Sequence, residues 1–374
     1  MFKKESLTFL LMILVAITTA QSTNQELFLN AKTIAVTPVK NQAQTGTCWC
    51  FGGTSMIESQ CIKNTTPDLD LSEMFVVRNI YLEKAKNYIL RQGHAQFGEG
   101  GLGHDVIRAI AAYGEIPESV YSGLKPGEKE YNHVAMVASL KNYLDSILKT
   151  TPLANNWMVG YTKILDDNLG VPPTTFQYNG KAYTPKSFAT ELLKFNSDEY
   201  VDIASLTDHT YYEPFILQVP DNFSNGNYYN LPLKEMIQLT ESALNNGYSV
   251  LWDTDVSNKG FMQEKGIALL LDDAVTYPDS TINTNMPELN WDENRRQQLY
   301  ENLTTQDDHL MHIFGIERSK SGKIFFVVKN SWGNVGPYQG YINVSESYFA
   351  INTVSLVIPK AAFSKELLAK LRIN

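Results

Sequence analysis

Both the fold and the chemistry of this chain are indicated by one stretch, Gln42-Ala43-Gln44-Thr45-Gly46-Thr47-Cys48-Trp49-Cys50-Phe51. A Thr-Gly-Thr turn before an apolar run predicts a helix that begins at Cys48. The free N–H groups and the dipole at a helix N-terminus favour a thiolate over a thiol. The amide of Gln42, folded back beside the Cys48 N–H, would form an oxyanion hole. The stretch therefore predicts a cysteine nucleophile together with its oxyanion donors.

A nucleophilic thiolate also needs a base and a group that orients the base. Two strand-like segments near the end of the chain supply candidates, Asp308-His309-Leu310-Met311-His312-Ile313-Phe314-Gly315 and Val327-Val328-Lys329-Asn330-Ser331-Trp332-Gly333. His309 and His312 are three residues apart on a predicted strand and so face opposite sides of it. Only one of these two histidines can therefore meet Cys48.

These motifs resemble those of the papain-superfamily cysteine peptidases. In that family a glutamine precedes the nucleophile by six residues, Cys-Trp opens the central helix, the histidine precedes a glycine by six, and Asn-Ser-Trp-Gly supplies the third member. All four spacings occur here. The resemblance selects His309 as the base, Asn330 as the group that fixes its ring, and Trp332 as the shield over their hydrogen bond. It also assigns Gln42 to the oxyanion hole.

The chain further resembles the bleomycin hydrolase and bacterial aminopeptidase C branch of that superfamily. This likeness rests on Tyr183-Thr184-Pro185-Lys186-Ser187-Phe188, Pro232-Leu233-Lys234-Glu235-Met236 and Gly247-Tyr248-Ser249-Val250-Leu251-Trp252-Asp253-Thr254-Asp255-Val256. It implies an α+β, papain-like fold with a helical half that carries the nucleophile, a strand-rich barrel-like half, and a cleft between them. A long, mainly helical insertion would occupy about residues 126–290.

The resemblance implies hydrolysis of peptide bonds, most simply by an aminopeptidase that needs no metal or organic cofactor. The glycine pair Gly100-Gly101 would lend backbone groups to an extended peptide substrate. The remaining histidines show no metal-ligand spacing; they are His94, His104, His133 and His209. Relatives of this branch form hexamers, so a homo-oligomer is also implied.

Two other functions stay open at this point. In the aminopeptidase C branch a C-terminal tail enters the cleft, and its carboxylate holds the amino group of the substrate. Here the sequence reaches Asn374 three residues after a helix-like segment at residues 365–371, so we expect such a tail to be missing. This leaves a papain-like endopeptidase as the first alternative. The second alternative is a non-catalytic papain-like protein used for binding.

The first twenty residues predict a secretory signal peptide. Lys3 and Lys4 precede an apolar run from Leu7 to Ile17, and small residues lead up to a cleavage point near Ala20. The apolar run is shorter than the roughly 20 residues that a membrane-spanning helix needs, which argues against a membrane anchor. We therefore expect an exported bacterial protein, periplasmic or extracellular, with residues 21–374 as the peptidase domain.

Composition limits the partners of the protein. Its 374 residues are 43% hydrophobic and 19% charged, as in a folded globular protein, and its net charge is -9. An acidic chain without a long basic run is a poor nucleic-acid binder, because phosphate contacts supply most of that affinity. Three cysteines form no disulfide framework. Ser72 is the predicted N-cap of a second helix, and Ile34-Ala35-Val36 is a predicted short strand.

Overall fold

The computed structural model describes residues 28–64, 66 and 69–373. The expected signal peptide at residues 1–20 lies outside these ranges. The helices of the described part are α1 (Cys48–Lys63), α2 (Glu73–Leu90), α3 (Gly103–Tyr113), α4 (Val134–Ile147), α5 (Trp157–Leu169), α6 (Pro185–Ser187, continued as a π-helix over Phe188–Leu192), α7 (Leu233–Asn245), α8 (Glu293–Glu301), α9 (Glu346–Asn352) and α10 (Lys365–Leu371).

The strands of the described part form one large sheet and one small hairpin. They are β1 (Phe28–Thr33), β2 (Phe176–Tyr178), β3 (Lys181–Tyr183), β4 (Tyr200–Ala204), β5 (Pro214–Ile216), β6 (Asn227–Asn230), β7 (Val250–Thr254), β8 (Phe261–Met262), β9 (Ile267–Ala268), β10 (His309–Ser319), β11 (Ile324–Lys329), β12 (Tyr341–Ser345) and β13 (Thr353–Pro359).

Helix α1 begins at Cys48, where the sequence predicts it, and it is buried along most of its length. Its buried residues include the polar Thr54, Ser55 and Glu58, so the helix lies in the interior of the protein on its polar side as well. The next helix, α2, is capped by Ser72, whose hydroxyl accepts a hydrogen bond from the Phe75 N–H at 3.2 Å. This cap satisfies one of the free N–H groups of the first turn. Both predicted helix starts are therefore confirmed.

Two glycines allow helix α1 to lie close to its neighbours on both sides. A Cβ atom on Gly52 would lie 2.9 Å from the Leu251 Cδ1 atom and 3.5 Å from the Leu310 carbonyl carbon. A Cβ atom on Gly53 would lie 2.7 Å from the Val106 Cγ2 atom. Helix α1 therefore sits between the sheet on one side and helix α3 on the other.

Strand β10 is the central strand of the large sheet. It pairs antiparallel with β7, β11 and β1. The full order is β5-β6-β4-β13-β7-β10-β11-β12-β9-β8, with β1 attached to β10. The predicted strand at residues 34–36 is wrong, because the pairing with β10 involves Phe28–Thr33 and ends with the Thr33 to Gly315 pair. The Ile34 N–H still donates to the Phe314 carbonyl at 2.8 Å.

Two hydrophobic clusters correspond to the two halves of the fold. The larger one fills the space between helices α1 to α5, and the second lies between the sheet and helices α7, α9 and α10. Leu251 and Leu310 belong to the helical cluster although they lie on strands β7 and β10. Their side chains join the two halves directly behind the start of helix α1.

Residues 126–290 contribute to both halves. Helices α4 and α5 pack against each other and against α2, whereas β7 lies between β10 and β13 in the large sheet. The final part of this segment is thus integral to the sheet. Among the helices of the described ranges, none combines the length and the apolar character that crossing a membrane would require.

We expect Gly53→Ala to destabilise the protein. The added methyl group would be less than 3 Å from the buried Val106 side chain, and overpacking of this kind costs about 1–3 kcal/mol of unfolding free energy. Gly98→Ala is the matched control, because a Cβ atom there meets nothing within 4 Å. Urea unfolding of both variants measures the difference; equal stability of the two would contradict this account of helix α1.

Candidate active site

Cys48 is the first residue of helix α1, and its neighbours hold it against the glycine-rich segment that precedes helix α3. The side chain of Cys48 is buried, with 8% of its surface exposed. The indole N–H of Trp49 donates to the Glu99 carbonyl at 2.9 Å. The Glu99 carboxylate in turn accepts a hydrogen bond from the Gly46 N–H at 2.8 Å. These contacts fix both the turn before the helix and its first residues.

His309 and Asn330 come together because β10 and β11 are antiparallel neighbours. His309 opens β10, and Asn330 directly follows β11. The Nε2 atom of His309 lies 2.7 Å from the Oδ1 atom of Asn330. An amide oxygen accepts, so this contact assigns the ring proton to Nε2 and leaves Nδ1 as the basic nitrogen. The indole of Trp332 covers the His309 ring, with ring centres 4.7 Å apart.

The Asn330 side chain is held on both of its polar atoms. Its Nδ2 atom donates to the Oε1 atom of Gln263 at 2.9 Å, and its Oδ1 atom also accepts the Ser331 N–H at 2.7 Å. Gln263 is buried and lies between β8 and β9. The sequence analysis missed Gln263, since no motif surrounds it and its contact with Asn330 depends on the packing of the sheet.

Gln42, which precedes helix α1, is bonded to the same turn. Its Oε1 atom accepts from the Ser331 hydroxyl at 2.6 Å, and its backbone N–H donates to the Ser331 carbonyl at 2.8 Å. One N–H of its amide donates to the Thr45 carbonyl at 2.7 Å. The amide nitrogen carries a second hydrogen that an oxyanion could accept. Ser331, which the sequence analysis quoted but gave no role, positions Gln42.

The cysteine and the histidine are linked through Leu310, the residue after His309. Burial raises the pKa of the Cys48 thiol to about 12, while a backbone hydrogen bond from Leu310 lowers it. Burial lowers the pKa of His309 to about 4, and the hydrogen bond to Asn330 raises it. Burial thus disfavours both a lone negative charge on Cys48 and a lone positive charge on His309. A thiolate at Cys48 would therefore need a counter-charge beside it.

This raised thiol pKa opposes the expected effect of the helix N-terminus, which favours a thiolate at Cys48. A helix N-terminus stabilises a negative charge by about 0.3–1 kcal/mol at an exposed site. Removal of a charge from water costs more than that, and Cys48 is buried. The helix start therefore assists a negative charge on Cys48 but does not outweigh the effect of burial.

The other candidates from the sequence occupy structural positions. The Nδ1 atom of His312 lies 2.9 Å from the Ser55 hydroxyl, two turns along helix α1 from Cys48. The Cys50 thiol contacts the Glu73 carbonyl at 3.3 Å. All three cysteines are free and buried. Across residues 28–64, 66 and 69–373, no cluster of three or more histidine, cysteine or acidic side chains has a metal-binding arrangement.

The two glycines predicted to bind peptide make different close contacts. A Cβ atom on Gly101 would lie 3.0 Å from the Trp49 indole, which accounts for a glycine beside the start of helix α1. A Cβ atom on Gly100 would lie 1.8 Å from the Oδ2 atom of Asp221. The space over Gly100 is therefore taken by a carboxylate from the segment at 126–290.

The profile of the Peptidase C1-like family matches residues 100–374, and that of the papain family of cysteine proteases matches residues 25–121. The chain belongs to the Peptidase C1-like family. The expected recognition, a papain-superfamily peptidase of the aminopeptidase C branch, is confirmed, as is the α+β papain-like fold class. His309 and Asn330 lie within the first matched range, and Cys48 lies within the second.

Individual relatives of this family are distant in sequence. Aminopeptidase C of Streptococcus thermophilus is 23% identical, covering 96% of this chain and 88% of the relative. Aminopeptidase G of Lactobacillus delbrueckii subsp. lactis is 22% identical, covering 88% of this chain and 82% of the relative. The crystal structure of pepw from Lactobacillus rhamnosis superposes with a TM-score of 0.70 at 20% identity, covering 96% of this chain and 86% of that chain.

We expect Asn330→Ala to slow alkylation of Cys48 by iodoacetamide about ten- to hundredfold at neutral pH, the size of a lost hydrogen bond to a charged group. The hydrogen bond to Asn330 raises the pKa of His309, so its loss makes the imidazolium less stable. The remaining reaction should shift to higher pH, toward ionisation of the thiol alone. Asn156→Ala is the control, because the exposed Asn156 makes no capping bond. An unchanged pH profile would contradict the role of Asn330.

Proposed function

We propose that this protein is a cysteine aminopeptidase, in which Cys48 is the nucleophile, His309 the general acid and base, Asn330 the orienting group and Gln42 an oxyanion donor. The observation that carries the proposal is the 2.7 Å contact between His309 and Asn330. It leaves the other ring nitrogen basic, next to a residue whose backbone bonds to the Cys48 thiol. The relatives are named aminopeptidases C and G, and these names support cleavage at the amino end of the peptide.

The reaction follows from these positions. His309 takes the thiol proton, and the Cys48 sulfur attacks the carbonyl carbon of the peptide bond. The Cys48 N–H and the second amide N–H of Gln42 stabilise the oxyanion. His309 then donates its proton to the leaving amine, and the C–N bond breaks to give a thioester. His309 next activates a water molecule that hydrolyses the thioester and restores the thiol.

Substrate contacts complete the proposed site. Gly100 and Gly101 would border the bound peptide, and Trp332 would keep water from the hydrogen bond between His309 and Asn330. No step of this reaction needs a metal or an organic cofactor. Assembly into a homo-oligomer stays a prediction, and the family resemblance implies a hexamer. Sedimentation analysis of the purified protein measures its oligomeric state.

The proposed location is outside the cytoplasm. The signal-like pattern of residues 1–20 supports export, with residues 21–374 as the mature peptidase, in which about 126–290 is an insertion. One yeast relative is named as a mitochondrial cysteine proteinase, so members of this family work in more than one compartment. Export is proposed here from the amino-terminal sequence alone.

Two substrates distinguish the candidate functions. We expect the reduced protein to hydrolyse leucyl-aminomethylcoumarin and to spare its N-acetylated form. Cys48→Ala should abolish this activity, and His309→Ala should lower kcat about 100- to 10,000-fold, as for loss of a general acid-base group. Equal cleavage of the acetylated substrate would favour the endopeptidase, and no reaction with either substrate or with iodoacetamide would favour the binding protein. Activity that survives Cys48→Ala would contradict the mechanism.

Export has its own test. When the full chain is expressed in a bacterial host, we expect the folded protein in the periplasm or the medium, with an N-terminus close to Gln21. N-terminal sequencing of the recovered protein measures the cleavage point, and replacing residues 7–17 by polar residues should retain the protein in the cytoplasm. An intact Met1 terminus on cytoplasmic protein would contradict the signal peptide.

A further inference from the structure

Gln263 is a buried residue that has no part in the proposed reaction, yet its side chain bonds directly to one that has. Its Oε1 atom accepts a hydrogen bond from the Asn330 Nδ2 atom at 2.9 Å. Only 7% of the surface of Gln263 is exposed, and buried polar groups in folded proteins are nearly always hydrogen-bonded. The amide of Gln263 therefore has its partner in the residue that orients His309.

The backbone of Gln263 is held on two sides. Gln263 begins a 3₁₀ turn between β8 and β9, and its carbonyl accepts from the Gly266 N–H at 3.0 Å. The Gly266 carbonyl in turn accepts from the Asn343 N–H on β12 at 2.9 Å. A Cβ atom on Gly336 would overlap the Gln263 carbonyl oxygen, so the loop after the Asn-Ser-Trp-Gly turn packs directly on this backbone. These contacts bring the Gln263 side chain to Asn330 in one position.

The same hairpin of β8 and β9 also supports the shield over the His309 ring. Phe261 on β8 meets the Trp332 indole edge-on, with ring centres 5.9 Å apart. Trp332 in turn covers the His309 ring. This hairpin lies within the segment at 126–290, which the sequence analysis treated as an insertion. One hairpin of that segment therefore contacts both Asn330 and Trp332, the two side chains that contact the ring.

The orientation of the Gln263 amide is set by a group of fixed polarity. Its Nε2 atom donates to the backbone carbonyl of Tyr341 at 3.4 Å, and a backbone carbonyl can only accept. The NH2 group of Gln263 therefore faces Tyr341, and its oxygen faces Asn330. Because that oxygen can only accept, the NH2 group of Asn330 points toward Gln263.

The Asn330 amide is thus fixed at both of its ends. The Ser331 N–H, which can only donate, bonds to the Oδ1 atom at 2.7 Å. Turning the amide over would place two donors together at Ser331 and two acceptors together at Gln263. In the observed orientation Oδ1 lies 2.7 Å from the Nε2 atom of His309. The ring proton is therefore held on Nε2, and Nδ1 is free to accept a proton.

We propose that Gln263 is a positioning residue of the peptidase, which fixes the Asn330 amide and, through it, the tautomer of the His309 ring. This inference rests on the proposed cysteine peptidase function and adds a residue outside the motifs that indicate that function. The opposite tautomer carries its proton on Nδ1, the nitrogen that has to take the Cys48 proton in the proposed reaction. A histidine held in that tautomer is a poor general base.

A purely structural role for Gln263 would have a different kinetic effect. A distorted turn between β8 and β9 would lower the melting temperature and disturb substrate binding together with the chemical step. Loss of ring orientation acts on the imidazolium, which forms during the proposed reaction, and so lowers kcat while KM stays the same. The two roles are therefore separated by kcat, KM and the melting temperature measured together.

The test compares Gln263→Met and Gln263→Glu with Gln298→Met, with leucyl-aminomethylcoumarin as the substrate. Gln263→Met keeps the length of the side chain and removes its polar amide. Gln263→Glu keeps an acceptor for Asn330 and, when protonated, also a donor for the Tyr341 carbonyl. Gln298→Met is the matched control, because Gln298 lies exposed on helix α8.

We expect Gln263→Met to lower kcat about tenfold, the size of one hydrogen bond, without a change in KM or in the melting temperature. Gln263→Glu should recover most of the lost rate, and Gln298→Met should behave as the wild type. Alkylation of Cys48 by iodoacetamide should shift to higher pH in Gln263→Met alone. The reason is that the hydrogen bond to Asn330, which raises the pKa of His309, is weakened in that variant.

The ring proton is also observed without any turnover. The Cys48→Ala protein is labelled with ¹⁵N-histidine, and His309→Ala assigns the signals of that ring. At neutral pH we expect Nε2 to carry the proton, and the additional Gln263→Met substitution should give a mixture of the two tautomers. A proton on Nδ1 in the Cys48→Ala protein would overturn the inference, even if Gln263→Met failed to fold.

The outcomes separate this inference from the proposed function. An unchanged kcat and an unchanged tautomer in Gln263→Met would overturn the positioning role and leave the peptidase in place. Equal losses in Gln263→Met and Gln263→Glu with an unchanged tautomer would overturn it as well, since they indicate a structural role. Failure of the wild type to hydrolyse the substrate, with a tautomer that still depends on Gln263, would instead refute the catalytic function and retain the positioning role.

Discussion

The close approach of helix α1 to strand β10 is the constraint on which the candidate site depends. Gly52 lets the helix lie against the backbone of Leu310, and this contact puts the first residue of the helix beside the first residues of the strand. Cys48 comes from the helical half and His309 from the sheet. A Cβ atom at position 52 would lie 3.5 Å from the Leu310 carbonyl carbon, so a side chain longer than that of alanine would meet the strand backbone. Backbone packing between the halves, more than any single polar contact, brings the two residues together.

Much of this arrangement was readable from the sequence because it lies in short motifs. The helix starting at Cys48 and the Ser72 cap follow from local patterns. The pairing of His309 with Asn330 was implied by the family resemblance, and it forms on adjacent strands. The strand predicted at residues 34–36 failed because its position is set by register against β10, a partner far along the chain. The positions of Gln263 and Asp221 at the site could not be predicted for the same reason, because they depend on contacts with distant parts of the chain.

The electrostatics of the site was the least predictable part. A helix N-terminus suggests a thiolate, but burial acts on the same group with larger effect, and burial is a property of the assembled fold. The acidic neighbours of Cys48 come from three elements: the loop after β5, strand β7 and the segment before β10. None of them lies near Cys48 in the sequence, so their joint influence appears only when the sheet and the loop at 217–226 are in place.

The antiparallel pairing of β10 with β11 and β7 has a consequence for biosynthesis. The residues proposed for the chemistry are spread from Gln42 to Asn330, and the sheet that joins them is completed only by the last third of the chain. A growing polypeptide therefore carries Cys48 before His309, its proposed base, has been added. In the proposed mechanism, peptidase activity therefore arises only after His309 and Asn330 have joined the sheet.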